Sequence, residues 1–476
     1  MHTVASSTAL DAWLERLEVA HPMGIDLGLE RVARVARRMG LLDTPVAGRL
    51  ITVAGTNGKG STVAMLDALA QAHGRSTAAY TSPHLLRYNE RLRLSGAEAS
   101  DSLLIDGFAT VERARIDGPP ISLSYFEVGT LGALWAIARQ RPDLAILEVG
   151  LGGRLDAVNI VDPDVAVVTT VAQDHAAYLG NDIEGIGREK AGIMRSGRPV
   201  VLGSTTLPES VREVAAELGA RVYALDEDFS REGEGDGWRF FGSVAEVAPL
   251  GSDPLDNRGP QHGSSMRASE AMGSDPKGYS GVAGSITVPD LPDPGLPLDN
   301  AATALQALAL AGVELNAADC RRALAAVRLP GRMQWRGQWC LDVGHNPHAA
   351  AYVASRLMAR PSAGRTIALL GMLVDKDADG VIEALQPAVD AWVSVSLEGD
   401  RARTAADLAA RVTARGDAVW HCADSPVAGA AWLATRLAPE DRVLVCGSFF
   451  TVAAVLAGWR ASEHTDVNDS ATEGAP

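Results

Sequence analysis

From residue 50 onward, short apolar runs alternate with stretches of helical period. The runs predict strands at LITVAG (50–55), STAAYT (76–81), LAILEVG (144–150), VAVVTTV (165–171) and RPVVLG (198–203), with helices over 61–73 and 125–139. Such strand-helix alternation implies an α/β fold built on a mostly parallel sheet. Between 229 and 297 the pattern stops: Gly, Ser, Pro, Asp and Glu dominate, which reads as a loop, a linker or a partly disordered insertion. An alanine-rich helix then opens near Asn300, and alternation resumes with QWCLDVG, TIALLGML, AWVSVSL and RVLVCGSF as strands and TAADLAARVTA as a helix. The expected layout is an N-terminal α/β domain over 1–298, a helical connection over 299–328, a smaller α/β domain over 329–462 and a disordered tail over 463–476.

Composition narrows the function. A chain of 476 residues with 47% hydrophobic and 21% charged positions suits two or three packed domains. The N-terminus lacks a basic patch followed by an apolar core, and nothing approaches the roughly 20 apolar residues of a membrane span. A cytoplasmic protein without a membrane partner is expected. The four cysteines (320, 340, 422 and 446) have no metal-ligand spacing and read as thiols rather than disulfides. A formal charge of −16 excludes nucleic acid as the main partner. Anionic small substrates remain possible if positive charge is local.

One segment supplies such charge. LITVAGTNGKGSTVAMLDALAQA is an apolar strand, a glycine-rich turn and an amphipathic helix, the context of a phosphate-binding loop. Gly55, Gly58 and Gly60 let backbone amides approach an anion, Asn57 joins them in the nucleotide loop, Lys59 reaches the outer phosphates, and Ser61, with Thr62 beside it, opens the helix towards a metal ion. Gly60 separates the lysine from the hydroxyl, so the common G-x-x-x-x-G-K-[ST] pattern is not met. On these residues ATPase, kinase and ligase all stay open.

The string GTNGKGS resembles the phosphate loop of the Mur ligase superfamily, and the glycine after the lysine resembles its folate branch. The rest follows in order: IDLGLERV (25–32), TSPHLLRYNERLRL (81–94), SYFEVGTLGALW (124–135), ILEVGLGGRLDAVNIV (146–161), QDHAAYLG (173–180), IGREKAGI (186–193), LPGRMQ (329–334), LDVGHNPHAA (341–350), GMLVDKD (371–377) and VLVCGSF (443–449) are similar to segments of the bacterial bifunctional dihydrofolate synthase/folylpolyglutamate synthases. The resemblance implies a P-loop ATPase-like first domain, a Rossmann-like second one, and ligation of L-glutamate to dihydropteroate and to tetrahydrofolate through an acyl-phosphate. About 50 residues precede the loop, too few for the additional UDP-binding domain of cell-wall Mur ligases. Polyglutamylation alone, another Mur-type substrate and a non-catalytic nucleotide binder are the competing readings.

The resemblance also implies a site. Its cofactors are two magnesium ions, with ATP as co-substrate and a place for a monovalent cation, in a monomer. Locally, Glu148 ends an apolar strand and Asp174 follows another, at the sheet edge where ligands gather. The resemblance makes Ser82, Glu148 and His175 the metal ligands, with Ser61, where local chemistry alone favours Asp174. Lys190 reads locally as a helix-surface lysine; the resemblance makes it a carbamylated ligand of the second magnesium. Asp26, Leu27, Gly28, Leu29, Glu30, Arg31, Ser124, Tyr125, Phe126, Glu127, Leu155, Asp156 and Ala157 match pterin-pocket segments. Tyr125 and Phe126 suit stacking on a flat heterocycle, or equally the buried start of a helix. Asn300, Arg332 and Asp342 match ATP-binding positions, and His345 and Ser448 positions that handle glutamate. Lys59, Lys190 and His345 carry the catalytic assignments. Phe450 stands where the resemblance leads one to expect histidine, which removes a polar side chain there.

Overall fold

In the computed structural model, residues 9–21, 26–174, 176–245 and 282–472 are described. They form two compact units, one running to Val327 apart from His84–Tyr88 and Asp174–Tyr178, the other comprising those two segments and the chain from Arg328.

The first unit contains β1 (Arg49–Ala54), β2 (Thr77–Tyr80), β3 (Leu92–Leu94), β4 (Ala97–Glu98), β5 (Leu144–Glu148), β6 (Val165–Val168), β7 (Pro199–Leu202) and β8 (Arg221–Ala224). Their order is β4-β3-β2-β5-β1-β6-β7-β8. All but the β2-β3-β4 edge pair in parallel. The central strands are buried at every position, as strands covered on both faces must be. The short edge strands β3 and β4 carry charge and do not stand out as apolar runs.

The stretch 229–297 differs from its expectation. Its flanks pair as an antiparallel sheet, ordered β11-β10-β9, from β9 (Ser230–Glu232), β10 (Trp238–Ala245) and β11 (Val282–Leu291). Trp238 and Phe240, two residues apart, face inward and are fully buried. Pro289 is tolerated because β11 lies on an edge. Residues 246–281 lie outside the described ones. The helix Leu298–Leu310 is buried along almost its whole length, packed against the helix Lys59–Ala72, β6, β7 and β10. The Gln306 amide bonds both the N–H and the C=O of Ser243, at 3.0 and 2.8 Å.

The second unit holds β12 (Gln334–Arg336), β13 (Trp339–Leu341), β14 (Thr366–Leu370), β15 (Ala391–Val395), β16 (Val419–Ala423) and β17 (Arg442–Cys446), ordered β12-β13-β17-β14-β15-β16. Only the β12-β13 hairpin is antiparallel. Alternate residues feed two cores: Ala368, Leu370, Leu444 and Cys446 pack on one face, and Ile367, Leu369, Val443 and Val445 on the other. The backbone helix Phe449–Thr472 continues through 463–472, where a disordered tail was expected. No glycine or proline interrupts the chain between Gly458 and Gly474, so nothing stops the helix begun by the apolar 449–459 stretch.

Candidate active site

β1 ends between β5 and β6, with the following strand β2 on one side and β6 on the other, a switch point of the kind where parallel sheets collect ligands. The loop 55–58 grows from that end. A Cβ on Gly55 would stand 1.9 Å from Thr169 Oγ1, and Gly58 takes φ +85° with the Asn300 side chain 2.8 Å from where its Cβ would be. Thr169 Oγ1 donates to Asn57 O at 2.7 Å and Thr170 Oγ1 accepts from Asn57 N at 3.0 Å, so the strand beside the loop fixes its path. No side chain caps the helix Lys59–Ala72, which makes its N-terminus a place for an anion. Lys59 Nζ curls back to donate to Gly55 O (2.9 Å) and Thr56 O (3.2 Å). Gly60 lies in the first turn. Ser61 donates to Gly58 O (2.9 Å) and accepts from Asn300 Nδ2 (2.8 Å), which brings two predicted nucleotide residues together across 239 positions. Thr62, beside it in the first turn, is fully buried, and its hydroxyl has no hydrogen-bond partner among the described residues.

Glu148 is buried at the end of β5, and its Oε2 accepts from Ser82 N at 3.1 Å, so these two candidate ligands are neighbours. His175 lies outside the described residues. Among the described residues no group of three His, Cys, Asp or Glu is gathered to hold a metal. The carboxylate of Glu148 and the hydroxyls of Ser61 and Ser82 are nevertheless hard oxygen donors, which fit magnesium. Asp174, favoured on local evidence, is engaged instead by Lys376 Nζ at 2.5 Å and lies 3.5 Å from His345 Nε2.

Lys190 is not on a helix surface. It is only 4% exposed, on the helix Ile183–Ala191, with Ile186, Gly187 and Ala191 on the same buried side. The turn after β5 closes on that helix end: Arg154 N donates to Glu189 O at 2.8 Å, and a Cβ on Gly153 would stand 2.7 Å from the same oxygen.

The three pterin-matching segments converge. The helix Leu29–Arg38 and the helix Tyr125–Gln140 both pack on the short turn Ala157–Ile160. Arg31 spans two segments, meeting Asp26 Oδ2 at 2.8 Å and Glu127 Oε1 at 2.9 Å. Leu27, Gly28 and Leu29 are half-buried where that helix starts, while Glu30 is exposed. Ser124 and Glu127 form a capping box, so their polar groups hold the helix start in place. Tyr125 and Phe126 are half-buried: Arg91 lies over the Tyr125 ring at 5.5 Å, Phe126 sits 6.4 Å from the Tyr80 ring, and burial pushes the Tyr125 phenol up to about 12. Leu155 is half-buried and Ala157 buried beside Asp156.

Asp156 is a buried carboxyl whose oxygens accept from Leu151 N (2.9 Å) and Val158 N (3.0 Å). Desolvation raises it from 3.8 to about 6, against those backbone bonds and the Lys59 charge. Folded Asp156 keeps its proton up to about 6 while the unfolded chain releases it near 3.8. It therefore costs stability as pH rises through that window, by up to about 3 kcal/mol. Wild type should gain stability relative to Asp156→Asn as pH falls from 7 to 4; parallel unfolding curves across that range would remove the claim.

In the second unit Arg332, Asp342, His345 and Ser448 gather at the C-terminal ends of β13 and β17. Asp342 is buried and accepts from Gly344 N (2.7 Å) and Met333 N (2.9 Å), which pins the LPGRMQ turn. Burial raises this carboxyl, opposed by Arg332, whose Nη1 is 3.9 Å away. His345 Nδ1 faces Val343 O at 2.9 Å. Ser448 accepts from Phe450 N at 3.2 Å and starts the final helix, while Phe450 points outward at 63% exposure. Sequence reasoning gave no role to Lys376, buried in the turn after β14, although a lysine three residues after the apolar TIALLGML was a signal. It also passed over Thr169, Thr170 and Arg91, which act across strands far apart in sequence.

Comparison with known proteins agrees with this geometry. Residues 53–228 match the Mur ligase middle domain, and residues 331–449 the Mur ligase glutamate ligase domain. The dihydrofolate synthase/folylpolyglutamate synthase of Escherichia coli K12 is 42% identical over 95% of this chain and 96% of its own. That of Mycobacterium tuberculosis is 32% identical over 88% and 89%. The structure of E. coli FolC in complex with DHPP and ADP superposes with a TM-score of 0.82 at 41% identity, covering 96% of this chain and 99% of that one. A bifunctional folylpolyglutamate synthase/dihydrofolate synthase with Mn, AMPPNP and L-glutamate bound reaches 0.78 at 40% identity, covering 96% and 100%.

Proposed function

The chain belongs to the dihydrofolate synthase/folylpolyglutamate synthase family of Mur ligases, and we propose from that premise that it adds L-glutamate both to dihydropteroate and to tetrahydrofolate at the cost of ATP. The observation that carries the reading is the anion-receiving helix start, with Lys59 curled over loop 55–58 and Ser61 bonded to Asn300.

A carboxylate oxygen of the pterin substrate attacks the γ-phosphorus of ATP and ADP leaves. The α-amine of glutamate then attacks the acyl carbon, phosphate leaves, and the amine proton passes to solvent. Such transfer depends on positioning and charge neutralisation. Lys59 turns from its carbonyl partners to the outer phosphates, the loop amides hold the β-phosphate, and Asn300 orders Ser61. Arg332 adds phosphate charge, Asp342 takes ribose hydroxyls, and His345 and Ser448 receive glutamate. Ser61, Ser82, Glu148, His175 and carbamylated Lys190 would hold magnesium, whose charge would offset that of the phosphates. Tyr125 and Phe126 face the pterin on the wall that Arg31, Ser124, Glu127 and Asp156 hold together. The monomeric state follows the family resemblance, and the substrates suit the cytoplasm.

The test is phosphate release from ATP with magnesium and L-glutamate, with dihydropteroate in one reaction and tetrahydrofolate in another and products identified by mass. Glutamylated product in both is expected. Product with tetrahydrofolate alone narrows the activity to polyglutamylation, and product in neither overturns the reading.

A further inference from the structure

Two side chains in the second unit, Lys376 and His345, share the carboxylate of a third, Asp174. Asp174 Oδ1 takes a 2.5 Å bond from Lys376 Nζ, and Asp174 Oδ2 lies 3.5 Å from His345 Nε2. All three are largely withdrawn from water, with side-chain exposures of 7% for Lys376, 11% for Asp174 and 20% for His345. A buried ammonium and a buried carboxylate are stable only together, so the pair is locked in geometry as well as in charge. His345 is fixed twice, by Asp174 and by Val343 O at 2.9 Å. Lys376 sits in the turn that follows β14 and leads into the helix Ala378–Leu385, and His345 in the one that follows β13, so two separate strand ends are tied to one acid.

We propose that Asp174 is a positioning residue for the amine-accepting half of the reaction: it presets Lys376 and His345 as one unit that receives the carboxylate of the incoming amino acid. This rests on the ligase reading above. Lys376 has three N–H donors, one short bond to Asp174 and a looser ion pair with Asp375 Oδ2 at 3.9 Å, beyond hydrogen-bonding distance, so it keeps donors for a second anion. Without Asp174 the ammonium and the imidazole lose their common anchor, and each substrate carboxylate must order them afresh. The cost then falls on glutamate binding rather than on activation of the pterin carboxylate.

Hydroxylamine separates the two halves, because it attacks the acyl-phosphate carbon directly, releases phosphate and gives a hydroxamate without any glutamate site. For Asp174→Asn, KM for L-glutamate should rise at least about tenfold while hydroxamate formation and KM for ATP stay within about threefold of wild type. Lys376→Met should show the same split, and it carries the test should Asp174→Asn fail to fold. Loss of hydroxamate formation together with glutamate ligation would place Asp174 in the phosphoryl-transfer machinery beside His175 and overturn the proposal. An unchanged glutamate KM in both variants would overturn it too. Wild-type enzyme that forms neither hydroxamate nor glutamylated product would instead overturn the ligase reading itself.

Discussion

Lys59→Ala should abolish ATP-dependent glutamylation, with kcat/KM falling at least about a thousandfold for either pterin substrate. The Lys59 ammonium is the one cation that the sequence places within the loop 55–61. It lies within hydrogen-bonding distance of Gly55 O and Thr56 O, at 2.9 and 3.2 Å, over the surface where a phosphate would lie. Those carbonyls are weaker partners than phosphate oxygens, so the ammonium moves to an arriving nucleotide at small cost. Removing it leaves the fold nearly untouched, because the loop path is set by Gly55, Gly58, Thr169 and Thr170. Thermal unfolding should therefore stay close to wild type while phosphate release and product mass both vanish. Near-normal turnover in Lys59→Ala would sink the phosphate-loop scheme. A large drop in unfolding temperature would mean that the lysine is structural.

What the sequence made legible follows from how each residue acts. Central parallel strands such as β1, β5 and β6 are apolar on both faces, and nothing else of that length is, so they could be read directly. The strands β3, β4 and β12, at or next to a sheet edge, are two or three residues long and each carries a charged residue, and only their partners reveal them. In 229–297 the abundance of Gly, Ser and Pro outweighed the Trp238-Phe240 alternation, which marks β10 by itself. The phosphate loop was legible because it is contiguous. The Arg31 bridge between Asp26 and Glu127, and the Asp174-Lys376-His345 cluster, were not, since each depends on which distant strand ends the topology brings together.

The local reading of Lys190 as a helix-surface lysine failed for a reason that its neighbours explain, and the residue gives the other large effect. Arg188 and Glu189 beside it made the segment look like a solvated face. Ile186, four residues earlier and fully buried, sets the true inner face, and i to i+4 spacing puts Lys190 on that face. A lysine so enclosed either pairs its charge or changes it. Attack of the neutral amine on CO2, with loss of one proton to solvent, gives a carbamate: a cation becomes an oxygen donor of the kind magnesium accepts. Lys190→Ala should then lower kcat at least about a hundredfold, and a small carboxylate such as acetate should restore part of it. With 13C-labelled bicarbonate, wild type should show a carbamate carbon signal that Lys190→Ala lacks. Absence of that signal at saturating bicarbonate, in protein of full activity, would leave Lys190 as a buried structural lysine. Chemical rescue distinguishes the roles independently, because an added carboxylate can replace a missing oxygen donor but cannot replace a missing ammonium.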